Sequence, residues 1–205
     1  MLFLLAPGID AAVPLELRLQ YISSHPRLWT FAWLTWIFAA VSLIYFLVHW
    51  GCLLESLEPH RRRGKIVFAV LVGCLGMIPD TLAETLYIGL IPRLAALGQA
   101  KTGEALPTAL DHIRMWQQNL NMLTGFLGNG LYCIGGMTLT LLSIQVGGFP
   151  KKWSFPALLI WTAGFALSAA TLLDHHVLLK VATALTMSTF VAWTGGLGIF
   201  FRVES

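Results

Sequence analysis

With 57% hydrophobic and only 11% charged residues among 205, and a mean hydropathy of +0.73, the chain lies far from the composition of a water-soluble domain, in which about a quarter of residues are charged. The net charge of +3 is small and scattered over the polar stretches, so no basic surface for nucleic acid is present. Apolar runs near or above about 18 residues point to transmembrane helices, and their continuity, without period-two alternation, argues against a barrel.

The sequence therefore predicts an all-α integral membrane protein. Residues 1–27 form an N-terminal segment, and residues 28–205 a single transmembrane helical domain. Five spans are expected at 28–50, 66–92, 112–144, 154–174 and 178–201. The opening "MLFLLAPGID" lacks a basic region, and its apolar part is short for a signal-peptide core, so cleavage is not expected. In "AAVPLELRLQYIS" the residues Leu15, Leu19 and Ile22 share a helical face, as in a helix lying along a membrane surface. The first span opens near Trp29 and closes at Trp50, the positions of interfacial belts. "HRRRGK" (60–65) follows as a solvated basic cluster.

The second span contains "GMIPDTLAETLYIGLIP" (76–92). Pro79 removes an amide donor, so the helix is expected to kink or break there. "TLAE" then reads as a capping box, with Asp80 or Thr81 capping and Glu84 reaching back to free amides. Residues 93–111 read as a polar loop containing Gly98, Gly103 and Pro107. The third span begins with the polar "DHIRMWQQNLNMLTGFLGNG", where Asn129, between two glycines, marks a local distortion. "GGFPKKW" and "DHH" separate the last three spans. Basic residues at 61–63, 65, 151, 152 and 202 fall on one side of this topology. Their clustering after the first span places the N-terminus outside and the C-terminus in the cytoplasm of a bacterial inner membrane. The odd number of spans and the lack of an internal repeat weigh against a two-halved transporter. Gly73 and Gly76, Gly125 and Gly128, Gly164 and Ser168, and Gly195 and Gly196 mark close helix approach, within the bundle or between subunits.

The chemistry centres on Asp80 and Glu84, one turn apart on a face that Tyr87 extends. A charged carboxylate at a span centre costs about 2.5–3.5 kcal/mol on insertion scales, so it needs a partner, water or a proton. Two acids this close resist double ionisation. The only other polar helix face is Gln117, Asn121 and Thr124, at i, i+4 and i+7. These six residues are the expected lining of a polar pocket open to the outer side. Such a pocket suits a ligand-binding protein or an accessory subunit, with a lipid, a quinone-like molecule or a cation as ligand. The partners expected are the bilayer, other membrane subunits or a second copy. Two further readings are an intramembrane enzyme and an oligomeric proton- or ion-coupled carrier. In the enzyme, Asp80 or Glu84 acts as general acid–base, and outer-side histidines assist or bind metal. The metal ligands would come from His112, Asp174, His175 and His176, although no metal-binding spacing joins them. Cys52, Cys74 and Cys133 form no CxxC pair, and no disulfide or thiolate site is expected. No phosphate loop, GxSxG or kinase pattern occurs, and no motif names a cofactor.

Overall fold

A computed structural model describes residues 2–10, 12–58, 60–100 and 105–204. In chain order the elements are α1 (Leu2–Ile9), α2 (Leu15–Ser24), α3 (Pro26–Leu57), α4 (Arg63–Gly89) and α5 (Ile91–Gln99). They continue with α6 (Ala105–Asn121), a π-helical segment (Met122–Gly128), α7 (Asn129–Gln145), α8 (Lys151–Leu172) and α9 (His176–Glu204). Among the described residues there is no strand. Five helical stretches are long and apolar enough to cross a membrane: Pro26–Leu57, Arg63–Gln99, Pro107–Gln145, Lys151–Leu172 and His176–Ile199. They match the five expected spans in number and place. Large apolar residues stand exposed along their faces, such as Val67, Leu71, Leu75, Ile78 and Leu82 on α4, and Val177, Val181, Leu185 and Val191 on α9. Contiguous apolar faces of this kind are not left open to water.

The stretch expected as a loop at 93–111 is largely helical. Pro92 sits in the first turn of α5, where its missing amide costs nothing, and Ile91, Ala95 and Gly98 bury one face. The chain interruption falls at Leu90, between α4 and α5, and not at Pro79: α4 runs unbroken from Arg63 to Gly89.

The chain divides into two compact units, the first made of residues 1–41 with 79–124 and the second of 42–78 with 125–205. In the first unit α2 packs on α1, α5 and α6. Leu15, Leu19 and Ile22 share one core with Trp29, Ile91, Ala95, Ile113 and Leu120. The α2 face expected to lie along a membrane surface is thus turned into the protein. Removing each such Leu or Ile from water is worth about 1.5–3 kcal/mol, so the face takes an apolar neighbour, and here that neighbour is the core shared with α5 and α6. Trp29 likewise is fully buried, its indole N–H donated to the Tyr87 carbonyl at 2.7 Å.

In the second unit α8 packs between α7 and α9. Trp50 belongs to its core, in edge contact with Trp193, and so neither tryptophan bounding the first span is a belt residue. Glycines allow the helices to meet. A Cβ on Gly135 of α7 would stand 2.6 Å from the Ala69 carbonyl oxygen of α4, and one on Gly76 would stand 2.8 Å from the Gly128 oxygen. Cys133 is buried, and Cys52, Cys74 and Cys133 are all free thiols.

Part of the basic cluster after α3 is paired. Arg62 bonds Glu58 at 3.1 Å and also bonds the Gln145 side chain, and Arg63 lies 3.5 Å from Glu55. The other Glu58 oxygen accepts the Gly147 N–H at 3.1 Å, tying the α3–α4 turn to the α7–α8 turn. That backbone hydrogen bond, helped by Arg62, holds the Glu58 carboxyl below the usual carboxylate range. A depressed carboxylate stabilises the fold above its unfolded-state pKa, and the contribution is lost as pH falls through the lowered value. Amide hydrogen exchange at Gly147 is therefore expected to accelerate on acidification below the usual glutamate range, and Glu58→Gln to remove that pH dependence.

Candidate functional site

Asp80, Glu84 and Tyr87 stand on one face of α4, and all three are buried, at 4%, 0% and 2% exposure. Opposite them lie the last turns of α6 and the π segment. The Thr124 hydroxyl donates to Asp80 Oδ1. The Tyr87 hydroxyl donates to Asn121 Oδ1 at 2.6 Å and lies 3.4 Å from the Gln117 carbonyl oxygen. The two faces therefore run antiparallel in register, with 80 beside 124 and 87 beside 121 and 117. Asn121 is exposed and Thr124 half-buried, so these bonds lead from the surface to the buried acids. The polar face expected to meet the acids does meet them.

Glu84 lies between these two rungs, and neither of its carboxyl oxygens has a hydrogen-bond partner. This overturns the capping-box reading, which requires Glu84 to bond a free amide. Such amides appear only where a helix starts, and α4 is already helical through residues 80–84. Asp80 is occupied by Thr124 and does not open a new helix. Gln117 is 6% exposed, and its amide nitrogen is also without a partner.

Two aromatic residues complete the surroundings and were not among the expected site residues. Trp33 of α3 stacks on Tyr87 at 4.2 Å between centroids and 5° between planes, and its buried indole N–H has no acceptor. Trp29, one turn earlier, meets Tyr87 edge-on at 6.2 Å. Their spacing on α3 puts them on one face, the one sequence signal that pairs them.

The distortion expected at Asn129 lies before it: a π segment ends at Gly128, and Asn129 opens the regular helix α7. Segments of this type interrupt the regular ladder and recur at functional sites. Thr124 lies within it. Asn129, just beyond, belongs to the other unit, where its amide donates to the Gly164 carbonyl at 2.7 Å and the Ser168 hydroxyl at 2.8 Å.

Of the residues considered for metal binding, His112 is exposed on α6. "DHH" forms the α8–α9 turn. Asp174 adopts φ +50°, and the N–H groups of Asp174 and His175 bond the Thr171 and Ala170 carbonyls at 3.2 and 2.8 Å, which closes α8 in a Schellman arrangement. The His175 Nδ1 accepts the Leu178 N–H at 3.2 Å and so caps α9. His176 lies 3.7 Å from Asp174. Among the described residues, no three His, Cys, Asp or Glu side chains gather as a metal-binding group.

The buried centre of the first unit thus holds unmet hydrogen-bonding capacity of both kinds. Glu84 has two acceptor oxygens without a partner, and Gln117, Trp33 and the half-buried Arg18 of α2 each carry a buried donor nitrogen without one. An isolated carboxylate in an apolar setting is costly, so Glu84 calls for a proton, a cation or a donor-bearing guest. Compared with family models, with curated proteins and with solved structures, the chain matches none of them.

Proposed function

We propose that the chain is a multi-pass protein of the bacterial cytoplasmic membrane, with its N-terminus outside and its C-terminus in the cytoplasm. It binds a small polar or amphipathic ligand at the α4–α6 face and serves as a ligand-binding protein or an accessory subunit. The observation that carries this reading is Glu84, fully buried in a span-length apolar helix with both oxygens unpartnered. Natural proteins satisfy nearly all buried polar groups, and a fully buried carboxyl left open in an apolar helix calls for a proton, a water or a guest. The exposed Asn121 supplies the outward edge of the site. A second reading, carriage of a proton or cation by an oligomer, draws on the Asp80–Glu84 pair, since paired intramembrane acids are the usual coupling groups.

Native mass spectrometry of the protein released from its own membrane tests the proposal. The parent protein is expected to retain a small molecule that Glu84→Met loses. Retention of the same species by that variant, or its absence from a folded parent protein, overturns it. Proton flux in proteoliposomes that is abolished by Glu84→Gln is the result expected of the carrier.

A further inference from the structure

The unsatisfied groups around Tyr87 define what the guest must look like. Glu84 presents acceptor oxygens. Gln117 Nε2 and Trp33 Nε1 are donors only, and neither can ligate a cation. All three side chains are at least nine-tenths buried, with exposures of 0%, 6% and 6%. Trp33 stacks on the Tyr87 ring, Glu84 precedes Tyr87 by one turn on the same helix, and the backbone carbonyl of Gln117 lies 3.4 Å from the Tyr87 hydroxyl, which sets this residue of α6 beside the same turn of α4. The Tyr87 hydroxyl itself is committed to Asn121.

A bare metal ion would satisfy Glu84 but leave two N–H groups facing a positive charge. A simple anion would take the N–H groups and be repelled by the acids. A neutral hydroxyl both donates and accepts, so it can engage one Glu84 oxygen together with the two N–H groups. We infer that the site takes the hydroxyl-bearing head of a neutral amphiphile, its O–H donated to Glu84 and its oxygen accepting from Gln117 and Trp33, with Trp33 and Tyr87 packed beside it. This rests on the ligand-binding reading above and gives that ligand its chemical class. The apolar remainder of such a molecule suits the surroundings, because Ala83, Leu120 and Trp29 are fully buried in the same core.

The test uses the full chain in lipid nanodiscs. Three probes are titrated against tryptophan fluorescence and thermal unfolding: a short-chain monoacylglycerol, the corresponding free fatty acid as its anion, and sodium ion. The monoacylglycerol is expected to bind and stabilise, with the other two inert. Trp33→Phe keeps the stacked ring and removes only the N–H, and Gln117→Leu removes only the amide. Each is expected to weaken monoacylglycerol binding about three- to tenfold, the worth of one hydrogen bond, and Glu84→Met is expected to weaken it further. Thermal unfolding without ligand confirms that each variant is folded. Binding of sodium or of the fatty acid in place of the neutral probe overturns the inference. So does monoacylglycerol affinity unchanged in both Trp33→Phe and Gln117→Leu. If Glu84→Met leaves the binding of every probe unchanged, it is the ligand-binding reading itself that fails.

Discussion

Glu84→Met is expected to unfold at a higher temperature than the parent protein when no ligand is bound. The carboxyl group occupies a fully buried position and forms no hydrogen bond, so removing it leaves no partner behind. Replacing an unpartnered buried polar group by an apolar one of similar length recovers the desolvation penalty, about 1–3 kcal/mol. Methionine keeps the unbranched shape and adapts to the irregular gap. Asp80→Leu, one turn away, is expected to go the other way by a similar amount. Its carboxylate accepts the Thr124 hydroxyl, which would lose that partner in a half-buried place. Thermal unfolding of both variants in one detergent checks the pair of signs. A destabilised Glu84→Met would mean that Glu84 is held by an interaction of the fold itself, and the site would lose its main support. A stabilised variant that no longer binds ligand is the usual trade of stability for function at a working site.

Much of this site was legible from residue spacing, and the part that was not has a physical reason. Gln117, Asn121 and Thr124 repeat at helical intervals, as do Asp80, Glu84 and Tyr87. Polar faces on two apolar helices have few places to go except against each other, and the bonds from Thr124 to Asp80 and from Tyr87 to Asn121 follow. Which acid stays open was not legible. "TLAE" fits a helix start as well as a helix interior, and only the continuity of α4 through Pro79 decides between them. Trp33 is not legible as a neighbour of Tyr87, because the two lie far apart in sequence. The α2 face departs from its expected place for a related reason. Amphipathicity says that Leu15, Leu19 and Ile22 need an apolar neighbour, without saying whether that neighbour is lipid or α5, and α5 itself had been hidden by Pro92 and Gly98.

The helical architecture was more legible than the turns. Length and apolar continuity alone place the five long helices, since backbone polar groups in such runs must be satisfied internally. The turn at "DHH" depends on backbone geometry: Asp174 takes the left-handed conformation that closes α8, and His175 caps α9. Both are roles that short polar side chains fill at helix ends, and they account for the cluster of metal-type residues without invoking a metal.

Gly135→Val is expected to be among the most damaging single substitutions in the second unit. A Cβ at this position would meet the Ala69 carbonyl oxygen at 2.6 Å, Gly73 N at 3.0 Å and Gly73 Cα at 3.1 Å. All three are backbone atoms of α4, so no rotamer change can make room and the two helices must move apart. Overpacking that a side chain can relieve costs about 1–3 kcal/mol, and a backbone contact leaves less room for relief, so the loss here is expected at or above the top of that range. Separation would also loosen the crossing at Gly76 and Gly128, which depends on the same close approach of α4 and α7. Gly195 of α9 provides the contrast, with nothing within 4 Å of its would-be Cβ. Gly195→Ala is expected to be neutral or to stabilise by about 0.5–1 kcal/mol, because alanine loses less backbone entropy in a helix than glycine does. The comparison is made by unfolding Gly135→Ala, Gly135→Val and Gly195→Ala in parallel, with folded yield as a second readout. A graded loss at 135 with none at 195 is the signature of two helices held in backbone contact. Equal tolerance at both positions would mean that α4 and α7 do not cross where Gly73 and Gly135 meet.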